Sequence, residues 1–329
     1  MSRRTMEVHH LLKAPLCDLN IISGGISSLV LELDDSAVVK VPGGFDRNKE
    51  ELVVERTIYN RLGPHPYITK YLYEYNGKTV LERLQYPIRK RLWDLRDVGA
   101  RPPAKDVLRW ATQISQALHH AHSRHVFQVD IGPHNVLLDW SENAKLSDFA
   151  GASIDGSKPT VLPSPHSEHP DMPGQNPSIQ TEMFALGSML YEIETTRQPY
   201  HDKSDEDIED LFRAGEFPDT SGLILGAVIS KLWRMGYEDV GEAMEDMKRI
   251  QRKYVNTVEN RSGRFWWKER YDIPLSYYYH MANNRIALLL FQSVSLFLVL
   301  FSSVIIESRC WDGFIGRDVL SIGRTSTNT

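Results

Sequence analysis

Cysteine is nearly absent from these 329 residues: Cys17 and Cys310 stand alone near opposite ends. Two such residues make no disulfide framework, so a reducing compartment is expected. There is no basic surplus either. Lys and Arg number 38 against 43 Asp and Glu, a formal charge of -5, which argues against a general nucleic-acid binder. The basic start (Arg3, Arg4) is followed by no apolar stretch longer than Leu11-Leu12, too little for a signal-peptide core, so an intracellular, cytoplasmic chain is expected. Internal repeats and low-complexity tracts are missing as well.

Long uncharged runs are rare, with one exception. Residues 286–306 carry no charge over 21 positions, the length at which an apolar helix spans a bilayer. Gln292 and four serines dilute the run, and Arg285, Glu307 and Arg309 give no orientation bias. It is either a C-terminal membrane anchor or an extension with no partner in the fold. Phe265-Trp266-Trp267 and Tyr277-Tyr278-Tyr279 upstream fit an interfacial aromatic belt or a patch packed on a larger lobe.

What remains has ordinary globular composition, 41% hydrophobic and 25% charged. Residues 1–15 lack periodicity and read as a loose arm. Runs at 28–33 and 37–41 flank Asp34-Asp35-Ser36 and predict a hairpin. Residues 50–62 have helical spacing stopped by Gly63-Pro64. Residues 68–75 and 79–84 predict two more strands joined at Asn76-Gly77. Helices are expected over 106–122, 181–194 and within 224–254, with a long irregular loop at 151–180.

The most informative stretch is Val126-Phe127-Gln128-Val129-Asp130-Ile131-Gly132-Pro133-His134-Asn135, followed thirteen residues after Asn135 by Asp148-Phe149-Ala150-Gly151. Phosphoryl transfer needs a carboxylate to orient the attacking hydroxyl and oxygen ligands to hold Mg²⁺ against phosphates. An Asp with an Asn five residues on, then an Asp-Phe after a short strand, supplies those groups. The pattern resembles the protein kinase family, whose H-R-D-L-K-P-x-N is followed by D-F-G.

The resemblance covers about residues 18–250. It implies an α+β fold of two lobes, a small β-rich lobe over 16–86 and a larger helical lobe over 87–253, with a tail from 254. It implies ATP and Mg²⁺ as cofactors and a protein hydroxyl as acceptor, serine or threonine by family habit. Asp130 matches the catalytic Asp, while Asn135 and Asp148 match the two metal ligands. Lys40, ending Ala37-Val38-Val39-Lys40, matches the lysine that holds the α- and β-phosphates. Glu55 is the matching helix acid; Glu50 and Glu51 are rivals better read as solvated acids at a helix start. Gly25 keeps one glycine of the phosphate-covering loop, with Val30 after it. Leu81 falls at the gatekeeper position, and the backbone of Glu82–Leu84 beside adenine. Glu182 stands where the family braces its catalytic loop with an Asp.

Four departures accompany the likeness. Gln128-Val129 replaces the His-Arg pair, whose Arg receives activation-loop phosphate in the family. Gly132 stands at the position of a γ-phosphate lysine, with His134 as a partial donor nearby. Ala150 replaces a glycine, and no A-P-E is recognisable in 151–180, where Glu168 is a poor substitute. They leave open an ATP-binding scaffold without turnover, and a small-molecule kinase of the same fold. His119, His120, His122 and His125 read as exposed or cap residues rather than a metal site. Arg89, Lys90, Arg91 and Arg96 read as the wet face of a helix.

Overall fold

The computed structural model describes residues 8–13, 15–25 and 27–262. The uncharged run at 286–306, the aromatic clusters before it and Cys310 lie outside the described residues. Among those described, no helix is long and apolar enough to cross a membrane.

Five antiparallel strands open the fold: β1 (Ile21–Gly24), β2 (Ser28–Glu32), β3 (Ala37–Pro42), β4 (Tyr71–Tyr75) and β5 (Lys78–Glu82), in the order β1-β2-β3-β5-β4. The β2–β3 turn is fixed by Asp34, whose Oδ1 accepts from the backbone N–H groups of Ser36 and Ala37 at 2.6 and 2.8 Å. The β4–β5 turn has Asn76 and Gly77 both at positive φ (48° and 78°), the conformation an Asn-Gly pair favours. β3 is central and covered on both faces, so successive side chains enter different cores. Val39 and Val41 join Leu31, Val80 and Leu12 on one face, whereas Val38 faces the larger core. Leu12, 2% exposed, shows that the described part of the N-terminal arm packs on the sheet instead of hanging loose.

Helix α1 (Asp46–Leu62) crosses the other face and buries Leu52, Glu55, Ile58, Tyr59 and Leu62. It begins one turn before the apolar periodicity does, because Asp46-Arg47-Asn48-Lys49 is polar. The helical lobe is built on α3 (Ala104–Ser123) and α4 (Ile179–Thr195), with α2 (Ile88–Asp97), α5 (Asp205–Arg213), α6 (Gly226–Trp233) and α7 (Val240–Ser262) around them. The helix expected within 224–254 is present as two elements, α6 and α7, between which the chain turns through Met235, which takes φ 56°. Short strand pairs hold the loop between the lobes. They are β6 (Val126–Phe127) with β9 (Ser153–Ile154), and β7 (Val136–Leu138) with β8 (Ala144–Leu146). The result is the two-lobed α+β architecture expected from sequence.

Candidate active site

Lys40 leaves the middle of β3 and is 4% exposed. Its Nζ donates to Glu55 Oε1 at 2.9 Å and to Asp148 Oδ1 at 2.8 Å. Glu55 sits on the buried face of α1 with no exposure at all. Burial alone would push the Lys40 ammonium toward neutrality, but the Glu55 and Asp148 carboxylates outweigh it and hold its pKa above the usual lysine range. The same burial pushes Glu55 upward, with Lys40 opposing. For Asp148 burial is also the largest influence, yet Lys40 and the Ala150 N–H prevail and keep its carboxyl below the ordinary range. About half of the Asp148 side chain, 49%, stays open to solvent.

The loop between β6 and β7 carries the second group. Asp130 Oδ2 lies 2.9 Å from His134 Nε2 and 3.2 Å from Asn135 Nδ2, and Asn135 also donates to the Asp130 carbonyl at 2.9 Å. Asn135 is tied forward as well, its carbonyl accepting from Ser147 N–H at 2.8 Å, one residue before Asp148. The loop is held under strain. Val129 takes φ 71°, costly for a β-branched residue. Its N–H donates to Glu182 Oε1 at 2.7 Å, while Glu182 Oε2 pairs with His122 Nε2 at 2.6 Å. Glu182 is 1% exposed, so a buried carboxylate from α4 fixes the strained residue beside Asp130.

Gln128 is more than the loss of a histidine. Its Nε2 donates to the carbonyls of Ser147 (3.4 Å) and Asp148 (3.1 Å), joining the β6–β7 loop to the segment after β8 that presents Asp148. Ala150, which replaces a glycine, is not itself left-handed: Asp148 (φ 57°) and Gly151 (φ 85°), on either side of it, are. The room at Gly132 is also occupied. A Cβ there would meet the His134 ring at 2.6 Å, so the imidazole fills the space beside the glycine.

Around the cleft, Gly25 N–H bonds Ser28 C=O at 2.9 Å and closes the β1–β2 turn, with Val30 paired to Lys40 across β2 and β3. Leu81 and Leu84 are buried. The Glu82 carboxylate turns to Lys145 Nζ (2.6 and 2.8 Å). Arg83 N–H to Ser36 C=O and Gln85 N–H to Leu138 C=O pin this connection from both sides.

Three sequence readings change. Glu51 is no solvated acid: it is 3% exposed and accepts from Arg47 and from Thr160. The basic stretch of α2 divides: Lys90 and Arg96 stay on the wet face, whereas Arg89 pairs with Glu192 (2.9 and 3.0 Å) and Arg91 with Glu142 (2.5 Å). Of the clustered histidines, His120 meets the Leu62 carbonyl at 2.8 Å and His122 meets Glu182. Apart from Arg47–Glu51, one helical turn apart, these partnerships were not visible in sequence, because they join residues 51 to 109 positions apart.

The sequence model of the family described as protein kinase domain matches residues 36–222. The chain is 34% identical over 106 residues to the serine/threonine-protein kinase PrkC of Bacillus subtilis, covering 30% of this chain and 16% of that protein. It is 24% identical over 192 residues to a probable serine/threonine-protein kinase of Clostridium acetobutylicum (54% and 29% coverage). It is 30% identical over 162 residues to an Aurora kinase of Candida glabrata (46% and 44%). The chain thus spans less than half the length of these relatives.

Proposed function

The chain belongs to the protein kinase domain family, and from that premise we propose that it transfers the γ-phosphoryl group of ATP to a serine or threonine hydroxyl of a protein, slowly. The observation that carries the reading is Lys40 held between Glu55 and Asp148 (2.9 and 2.8 Å), in a fold that also presents Asp130 with Asn135. The half-open Asp148 carboxylate and the amide oxygen of the buried Asn135 suit a hard divalent cation. Mg²⁺, when bound, would be held by Asp148 and Asn135 and would neutralise phosphate charge.

Val30, Leu81 and Leu84 form the apolar walls for adenine, with the Glu82–Leu84 backbone at its edge. The turn at Gly25 covers the phosphates with backbone N–H groups. Lys40, kept charged by its two carboxylates, holds the α- and β-phosphates, and Glu55 only aims it. Asp130 accepts the hydrogen bond of the incoming hydroxyl and takes its proton as the O–P bond forms and the bond from phosphorus to the bridging oxygen breaks. His134 and Asn135 fix which Asp130 oxygen faces the acceptor. Without a lysine at 132, one preorganised contact to the transferring oxygens is missing, a loss of about 10²–10³ in kcat.

That same position favours a second reading, an ATP-binding scaffold without turnover, because the His134 ring fills the space beside Gly132. Incubating the full chain with labelled ATP, Mg²⁺ and a generic protein acceptor separates the two. Label on serine or threonine supports the kinase. ATP bound without label supports the scaffold. Label on sugars, choline or aminoglycosides but not on protein would point to a small-molecule kinase instead.

A further inference from the structure

Glu51 lies one turn before Glu55 on the same face of α1, so whatever holds one holds the other. Its Oε1 accepts from Arg47 Nε on the same helix at 2.9 Å, and Asn48 Nδ2 lies 3.5 Å from Oε2. Its remaining partners come from elsewhere. Thr160 Oγ1 donates to Oε1 at 2.9 Å, and Arg47 Nη2 closes the contact by donating to the Thr160 carbonyl at 2.8 Å. The Ser27 hydroxyl, in the turn that covers the phosphates, bonds the same carboxylate.

Both outside partners are held by hydrogen bonds to closely approached glycines, one of them, Gly151, at φ 85°. Thr160 N–H bonds the Gly151 carbonyl at 2.9 Å, and a Cβ on Gly151 would lie 2.6 Å from Val161 Cγ1 and 2.8 Å from Thr160 Oγ1. Gly43 N–H bonds the Ser27 carbonyl at 2.9 Å, and a Cβ on Gly43 would lie 2.9 Å from Asn48 Oδ1. Burial would push Glu51 up, yet the bonds from Ser27, Thr160, Arg47 and Asn48 hold its carboxyl below the usual range. It is therefore charged while almost wholly enclosed.

We propose that Glu51 is a three-way clasp, which ties the phosphate-covering turn through Ser27 and the 151–178 segment through Thr160 to helix α1, and so keeps Glu55 against Lys40. The clasp needs no phosphate. It uses the plain Thr160 hydroxyl as donor, and Val129 leaves the catalytic loop without the arginine that would receive a phosphorylated segment. Glu51, Ser27 and Thr160 are positioning residues. A second carboxylate at 160 would face Glu51 across the contact and open it.

The clasp rests on the kinase reading for its effect on turnover, not for its existence, so its test uses amide hydrogen exchange of the full chain. Thr160→Val and Glu51→Gln should each speed exchange about tenfold in residues 151–164, in 23–30 and around Glu55 together, as expected when a hydrogen bond to a buried charge is lost. Thr160→Ser should keep the wild-type pattern, and Thr160→Glu should exceed Thr160→Val. Glu50→Gln removes the same charge from an exposed neighbour and should change nothing. An increase confined to the substituted segment, or an equal effect of Glu50→Gln, overturns the clasp. Wild-type chain that shows this pattern but labels no acceptor keeps the clasp and removes the kinase reading; label with unmoved exchange does the reverse.

Discussion

A side chain at position 132 and the imidazole of His134 compete for one volume: a Cβ on Gly132 would lie 2.6 Å from His134 Nδ1 and Cε1, while the ring's Nε2 sits 2.9 Å from Asp130 Oδ2. From sequence, restoring a lysine at 132 looks like a simple gain of charge. The structure makes it a collision first. Gly132→Ala should destabilise the chain by about 1–3 kcal/mol, the usual range for forced overpacking. Gly132→Ala with His134→Ala should recover most of that, giving a coupling well above the ~0.5 kcal/mol of independent sites in a urea-denaturation cycle. Additive losses would mean the ring moves aside freely. Gly132→Lys should raise turnover only when His134 is shortened as well.

A second expectation concerns the buried ion pair. Lys40→Met leaves Glu55, with no exposure, facing no cation, and should cost about 3–5 kcal/mol of stability in addition to weakening ATP. Lys40→Met with Glu55→Gln should be milder than Lys40→Met alone in calorimetric melting. Equal melting points would place the burial penalty elsewhere.

The third turns on the brace of the catalytic loop. Glu182→Ala strips the acceptor from the Val129 N–H and from His122, both within 2.7 Å of it now. It should cost about 1–3 kcal/mol and reduce phosphate transfer, with Mg·ATP affinity little changed. A large loss of ATP affinity would show that Glu182 supports the nucleotide cleft rather than Asp130.

Much of this site is legible in the sequence, for a physical reason. Asp130, Asn135 and Asp148 lie in short loops beside strands, where spacing along the chain nearly fixes spacing in space, and Lys40 sits in the apolar run of β3. Glu55 follows from helical phase. Glu51 was illegible because its character comes from Thr160, which is 109 residues away. The bonds of Gln128 are not legible, because a donor's target carbonyl leaves no mark in the sequence.

Acid sensitivity should be local at first. Asp139 caps the β7–β8 turn, its Oδ1 accepting from Ser141 and Asn143 N–H at 2.8 and 2.9 Å. Burial works to raise its pKa, but those bonds and the Asn143 side chain lower it. A carboxyl lowered on folding stabilises above its unfolded pKa of ~3.9 and loses that contribution as pH falls through the folded value. Asp139→Ala should therefore cost about 1–2 kcal/mol at pH 7 and progressively less below pH ~4. A cost that stays constant from pH 7 to pH 3 would assign the effect to packing.

The most direct measurement is γ-phosphoryl transfer from Mg·ATP to serine or threonine by the full chain, set beside Mg·ATP binding, for wild type, Asp130→Asn and Asp148→Asn. The account predicts slow transfer by wild type, none by Asp130→Asn with binding intact, and loss of Mg²⁺-dependent binding in Asp148→Asn. Transfer that survives Asp130→Asn, or Mg·ATP bound by wild type with no transfer at all, would contradict it.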